Sequence, residues 1–210
     1  MSNITNNVKK IFFILILLIT SCMKITVTSS DVVNKISRLN REMPQVKADL
    51  ALEKQLKHSI NNGKKSFLYS HNLKDFGYYN IDIVEGRVLL TGVVCDESIK
   101  SYIINKITEN IKVRELLDEL AVNRELINRK FNDFFVKRSI ITKIFFKTKI
   151  KSLNYEISVV NGHTYIIGIA ENQEELELLT KLVSTVKGVK EVVSYIITVD
   201  SNKKIKLEFL

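Results

Sequence analysis

The chain is poor in the residues that carry chemistry or stiffen a scaffold. Its 210 residues include two cysteines, three histidines, one proline, seven glycines and no tryptophan. Two cysteines cannot build a disulfide framework, and His58, His71 and His163 are too scattered for a zinc site of the usual spacing. No serine or cysteine nucleophile is spaced to work with these histidines. Walker-type glycine loops, H-E-x-x-H and EF-hand patterns are absent as well. The chain is therefore expected to be non-enzymatic, with no cofactor and no metal. What remains, 45% hydrophobic and 26% charged residues, is a globular composition that excludes disorder, collagen and coiled coil as the main organisation. At roughly 100–200 residues per domain, the length allows one large domain or two small ones.

Long apolar runs are also scarce. The one that stands out, residues 11–19, follows Lys9-Lys10 and precedes Thr20-Ser21-Cys22. A basic start, a short apolar stretch and small residues at its end are the marks of a secretory signal. The run falls well short of the ~20 apolar residues that span a bilayer. Ile19-Thr20-Ser21-Cys22 resembles a bacterial lipobox, which implies a signal peptide over residues 1–21 and a lipid attached to Cys22; an ordinary cleaved signal is the alternative. In lipoproteins an aspartate after the cysteine retains the protein at the inner membrane. Met23 stands there, so the resemblance implies the outer membrane, periplasmic face. Cys95 is expected to be a buried small hydrophobe, having no neighbouring histidine or second cysteine to make it reactive.

The chain repeats itself. Tyr79, Ile81, Val84, Gly86 and Gly92 fall on Tyr155, Ile157, Val160, Gly162 and Gly168 without a gap, and Val113 and Glu115 fall on Val189 and Glu191 at the same offset. Two copies mean tandem domains and not a solenoid. In each copy, apolar–polar alternation (Tyr79-Asn80-Ile81-Asp82-Ile83) predicts a strand. Glu85-Gly86 or Asn161-Gly162 predicts a tight primed turn into a second strand. A helix follows; in copy two Asn172 caps it, Glu174, Glu175 and Glu177 sit near its positive end, and Gly188 ends it. A β-branched third strand over residues 189–199 closes the unit. Before each hairpin lies another helix, over residues 50–60 in copy one, stopping near Asn61-Asn62-Gly63, and over roughly 130–149 in copy two. The expected class is α+β: two tandem αββαβ units, each a three-stranded sheet with two helices on one face.

That order, the matching hairpins Val-Glu-Gly-Arg-Val-Leu-Leu-Thr-Gly and Val-Asn-Gly-His-Thr-Tyr-Ile-Ile-Gly, and the closing Lys187-Gly188-Val189-Lys190-Glu191-Val192 resemble the BON (bacterial OsmY and nodulation) domain. Two copies behind a lipobox resemble the dual-BON outer-membrane lipoproteins. The resulting division is signal peptide 1–21, tether 22–48, BON-like domain 1 over 49–123, BON-like domain 2 over 124–200 and tail 201–210. Pro44 is read as breaking any helix within the tether. Copy one departs from the family at Lys112-Val113, where Gly-Val is usual, so its second helix is expected to end without a left-handed cap.

Charge is distributed unevenly. Without residues 1–21 the chain carries 30 basic and 23 acidic residues, a net +7. The same excess sits between residues 124 and 153, where Arg124, Arg129, Lys130, Lys137, Arg138, Lys143, Lys147, Lys149 and Lys151 face only Glu125 and Asp133. Half of the ten phenylalanines share the stretch: Phe131, Phe134, Phe135, Phe145 and Phe146. At 100° per residue, Ile127, Phe131, Phe134, Ile141 and Phe145 cluster on one side and Leu126, Ile140 and Ile144 on another. That arc is wider than the roughly 100° stripe one helix buries on a sheet. Surplus apolar surface beside cations describes a helix that can lie among lipid headgroups. In dual-BON relatives the second domain binds anionic phospholipid around its first helix. The implied contacts here are Arg129, Lys130, Phe134, Phe135, Lys137, Arg138, Lys143, Phe145, Phe146 and Lys147. The expected function is thus an envelope lipoprotein that binds anionic phospholipid and supports outer-membrane integrity. The partner is the membrane, not nucleic acid. The alternatives are a periplasmic adaptor docking an acidic envelope partner, or phenylalanines packed between the two units.

Overall fold

The structure is a computed structural model that describes residues 41–125 and 130–199. Its element order is α1 (Met43–Ser70), β1 (Gly77–Val84), β2 (Arg87–Val94), α2 (Glu97–Thr108), β3 (Glu115–Val122), α3 (Lys130–Phe145), a 3-10 turn (Ser152–Asn154), β4 (Tyr155–Val160), β5 (His163–Ala170), α4 (Gln173–Ser184) and β6 (Glu191–Thr198). There are two three-stranded sheets, β1-β2-β3 and β4-β5-β6. In each, the hairpin is antiparallel and the third strand, reached through a helix, runs parallel to the middle one. This is the expected α+β architecture of two αββαβ units.

The turns carry their own explanation. Glu85 and Gly86 have φ of 56° and 72°, and Asn161 and Gly162 have 53° and 83°. Positive φ at both central residues is the primed turn whose twist matches the flanking strands. Each turn is also gripped by an aspartate. Asp49 accepts from the N–H groups of Glu85 and Gly86 at 2.8 and 3.0 Å. Asp133 does the same for Asn161 and Gly162 at 2.7 and 3.0 Å.

Those aspartates align the first helices. The α1 stripe Asp49, Leu52, Leu56 and Ile60 is repeated in α3 as Asp133, Val136, Ile140 and Ile144, with Ile140 and Ile144 buried beneath it. The register is eight residues longer than that relating the sheets, because α1 stands further from its hairpin in sequence. α1 is also longer than the expected 50–60. Pro44 sits in its first turn, where the missing N–H would have no helical partner, so it begins the helix instead of breaking it. Residues 43–48, assigned above to the tether, are helical. Gly63 does not stop α1. It lies where Tyr102 of α2 crosses, the Tyr102 hydroxyl donating to Ile60 O at 2.9 Å, and a Cβ there would collide with that hydroxyl. α2 ends at Glu109 in right-handed geometry, and α4 ends the same way at Thr185; Gly188 (φ 97°) does not end α4, as expected above, but lies three residues past that cap in the turn leading to β6.

Each sheet packs its helices on one face. The first core joins Leu56, Ile60, Ile81, Leu90, Ile99 and Ile103; the second joins Ile140, Ile144, Ile157, Ile166, Leu179 and Val183. The opposite faces of the two sheets pack on each other through Val84, Leu89, Ile167 and Ile169. The result is four layers, helix–sheet–sheet–helix. Several contacts across the middle join equivalent residues of the two units. Ser158 Oγ donates to Asp82 at 2.8 Å, with Asn80 Nδ2 bonded to both, and the Tyr195 hydroxyl donates to Glu119. Both pairs are 76 residues apart, the offset of the repeat. Self-equivalent contacts of this kind mark an isologous, two-fold-like interface.

Candidate functional site: the outer face of helix α3

α3 rests on β4, with Asp133, Ile140 and Ile144 turned inward. The rest of its surface is unusual. Phe134, Phe135, Ile141 and Phe145 are each about half exposed, and Phe146, just past the helix end, is 76% exposed. At about 100° per residue, Phe134, Ile141 and Phe145 form one row on the outer side, with Arg138 among them. Phe135 lies further round, away from the sheet. These four phenylalanines therefore do not pack between the units. They pair with one another, ring centroids of Phe134–Phe135 lying 5.6 Å apart and of Phe145–Phe146 5.5 Å apart, both edge to face. Such pairs hold aromatic area in a fixed arrangement on the surface.

Cations border the rings. The Arg138 guanidinium lies 5.8 Å from the Phe134 ring centre, within cation–π range. Lys137 stands at one margin, near enough to Glu156 to favour that residue's charged form. Burial and then Asp82 act more strongly in the other direction, and the Glu156 carboxyl is held above its usual value. Lys143 lies at the opposite margin, its Nζ 3.4 Å from Thr185 O at the end of α4. Lys147 follows Phe146 and is exposed. Asp133, one of the two acids that sequence counting set against this basic stretch, is buried and committed to its turn, so it does not neutralise the outer face.

The loop after α3 is fastened by α4. Glu175, buried, accepts from Lys151 N at 2.6 Å and Glu171 N at 2.8 Å, while its own N–H is capped by Asn172 at 3.0 Å. Lys151 pairs with Glu171 at 3.0 Å and Lys149 with Glu174 at 3.8 Å. The acidic cluster assigned to the helix dipole thus also draws in two lysines of the basic stretch. Glu175 is a positioning residue that sequence reading missed; the signal available was a glutamate three residues after a cap, the capping-box pattern.

Of the anticipated contact residues, Phe134, Phe135, Lys137, Arg138, Lys143, Phe145, Phe146 and Lys147 are brought onto or beside one outer surface. Lys130 is the first residue of α3, and Cys22 and Arg129 lie outside the described residues. Cys95 is only partly buried, at the rim of the first core, and desolvation raises its thiol pKa. His163 pairs with Glu191 at 2.9 Å, matching the Arg87–Glu115 pair of the first unit at 2.5 Å. Among the described residues there is no cluster of three or more metal-ligating side chains, and no helix long and apolar enough to cross a membrane.

Residues 136–200, from within α3 to the end of β6, match the BON domain. That places the second unit in a class whose members are generally non-enzymatic, and it suggests a phospholipid-binding or envelope-associated protein. The chain belongs to the same family as an Anaplasma centrale protein described as "Uncharacterized protein in gshII 5'region", with 34% identity over 132 residues, 61% of this chain and 85% of that one. Among solved structures it is similar to CdsD, a structural protein of the type III secretion system of Chlamydia trachomatis, at 12% identity and a TM-score of 0.29, covering 73% of this chain and 97% of that one. The CdsD C-terminal domain gives 10% identity, a TM-score of 0.28, and coverage of 67% and 96%.

Proposed function

We propose that this protein is a non-enzymatic envelope lipoprotein. Cys22 anchors it to the outer membrane at the periplasmic face, the first unit is a second BON domain, and the outer face of α3 binds anionic phospholipid and so supports membrane integrity. The observation that carries the reading is the exposed aromatic surface of α3 with Arg138 within it and Lys137, Lys143 and Lys147 around it. Apolar rings enter the headgroup boundary while cations meet phosphate, each contributing about 1 kcal/mol near an anionic surface. Screening acts within about 8 Å at physiological salt, so the attachment is reversible and salt-sensitive.

Co-sedimentation with vesicles tests it, using the full chain with Cys22→Ser so that no acyl group contributes. Binding is expected to anionic phosphatidylglycerol vesicles over neutral phosphatidylcholine ones, to weaken at high salt, and to fall at least about tenfold in Lys143→Glu/Lys147→Glu. Equal binding to both vesicles, or none with circular dichroism intact, overturns the reading in favour of an adaptor that docks an acidic protein. Radioactive fatty acid should label the wild type and not Cys22→Ser.

A further inference from the structure

The helix equivalent to α3 in the first unit has a related outer surface. With the buried stripes superposed, Leu50 and Lys54 of α1 fall on Phe134 and Arg138 of α3. In both helices, then, an exposed apolar residue is followed four positions later by an exposed cation; Leu50 is 61% and Phe134 54% exposed. At about 100° per residue, Lys47, Lys54 and Lys65 run along the ridge of α1 opposite its buried stripe, with Met43 and Leu50 along one side of that ridge. The lysines at the ends of that ridge are about 27 Å apart at 1.5 Å per residue. The two acids of α1 do not oppose them. Asp49 is buried on the hairpin turn, and Glu53 pairs with Lys57 at 2.5 Å.

The four-layer arrangement decides what this ridge can meet. α1 and α3 lie on opposite outer faces with both sheets between them. Stacked sheets are about 10 Å apart and a helix is about 10 Å across, so the two helical layers are separated by roughly 30 Å. That is several screening lengths of about 8 Å, too far for one flat bilayer to attract both faces.

We propose that α1 is a second membrane-contacting face, directed at another anionic phospholipid surface, so that the protein bridges two bilayers. This rests on the reading of α3 as the primary lipid site. With three lysines on its ridge and little apolar area there, α1 alone binds weakly; it acts once α3 has brought the protein to a first surface.

The test is vesicle clustering, followed by light scattering beside the co-sedimentation assay, with the full chain carrying Cys22→Ser. Phosphatidylglycerol vesicles should aggregate and phosphatidylcholine ones should not. Lys47→Glu/Lys54→Glu/Lys65→Glu should keep co-sedimentation within about twofold while clustering falls at least about tenfold. The milder Lys47→Gln/Lys54→Gln/Lys65→Gln should fall in between, with circular dichroism unchanged in both. Co-sedimentation without clustering in the wild type, or clustering that survives both triple variants, overturns bridging and leaves the α3 reading standing. Loss of wild-type co-sedimentation removes both. Clustering by the triple variants would assign the cross-link to protein self-association.

Discussion

Glu175 occupies the place that Ile99 holds in the first unit, both inside the helix that follows the hairpin and both buried. Where the first unit needs only apolar filling, the second uses a carboxylate to hold the chain leaving α3. Removing it in Glu175→Ala leaves two part-buried backbone donors without this acceptor, which costs about 1–3 kcal/mol. Urea unfolding should show a loss of about 2 kcal/mol, accompanied by weaker vesicle binding as Phe146 and Lys147 lose their fixed position. The tyrosines between the sheets respond to alkali. Burial first, then nearby Glu119, pushes the Tyr165 hydroxyl up to about 12, and burial with the hydrogen bond to Glu119 does the same for Tyr195. An unfolded tyrosine ionises near pH 10, so between about pH 10 and 12 the unfolded chain binds fewer protons than the folded one. Their stabilisation is complete below pH 10 and is lost as pH rises toward 12. Tyr195→Phe should flatten that alkaline decline in urea midpoints, and the wild type should titrate late at 295 nm.

The exposed phenylalanines of α3 separate stability from binding. Phe134 and Phe145 are half exposed and belong to neither core, so in Phe134→Ser/Phe145→Ser the unfolding free energy should change by no more than about 0.5 kcal/mol per site. Co-sedimentation should nevertheless fall severalfold, because the apolar area proposed to enter the lipid boundary is gone. If stability drops instead by the 3–5 kcal/mol typical of a buried phenylalanine, the face is core and not surface. Much of this element was legible beforehand. Alternation, Asn-Gly and Glu-Gly turns and the Asn172 cap place strands and helices through local chemistry, and the surplus arc of α3 already implied that Ile140 and Ile144 point one way and Phe134 and Phe145 another. What was hidden depends on distant partners. Gly63 looks like a stop until Tyr102, far along the chain, is seen crossing it. Asp49 and Asp133 share a role, yet the differing helix register conceals their match in an ungapped comparison.

The stacking of the two sheets was not read from the sequence, although the middle strands hinted at it. Val88-Leu89-Leu90 and Ile166-Ile167 are apolar on successive residues, the pattern of strands covered on both faces. Because Leu89 and Ile167 share one interior with both sheets, the two units should unfold together, with calorimetric and van't Hoff enthalpies in agreement. Leu89→Ala should cost about 2–5 kcal/mol and lower that single transition as a whole. A further consequence lies in the pairs that join like to like, Asp82 with Ser158 and Glu119 with Tyr195. Cut free, either half would expose a greasy second side to water, and the surface best shaped to cover it would be another molecule of the same half. Such fragments should elute as homodimers. In symmetry terms, this polypeptide is an oligomer whose two protomers have been joined by a peptide bond.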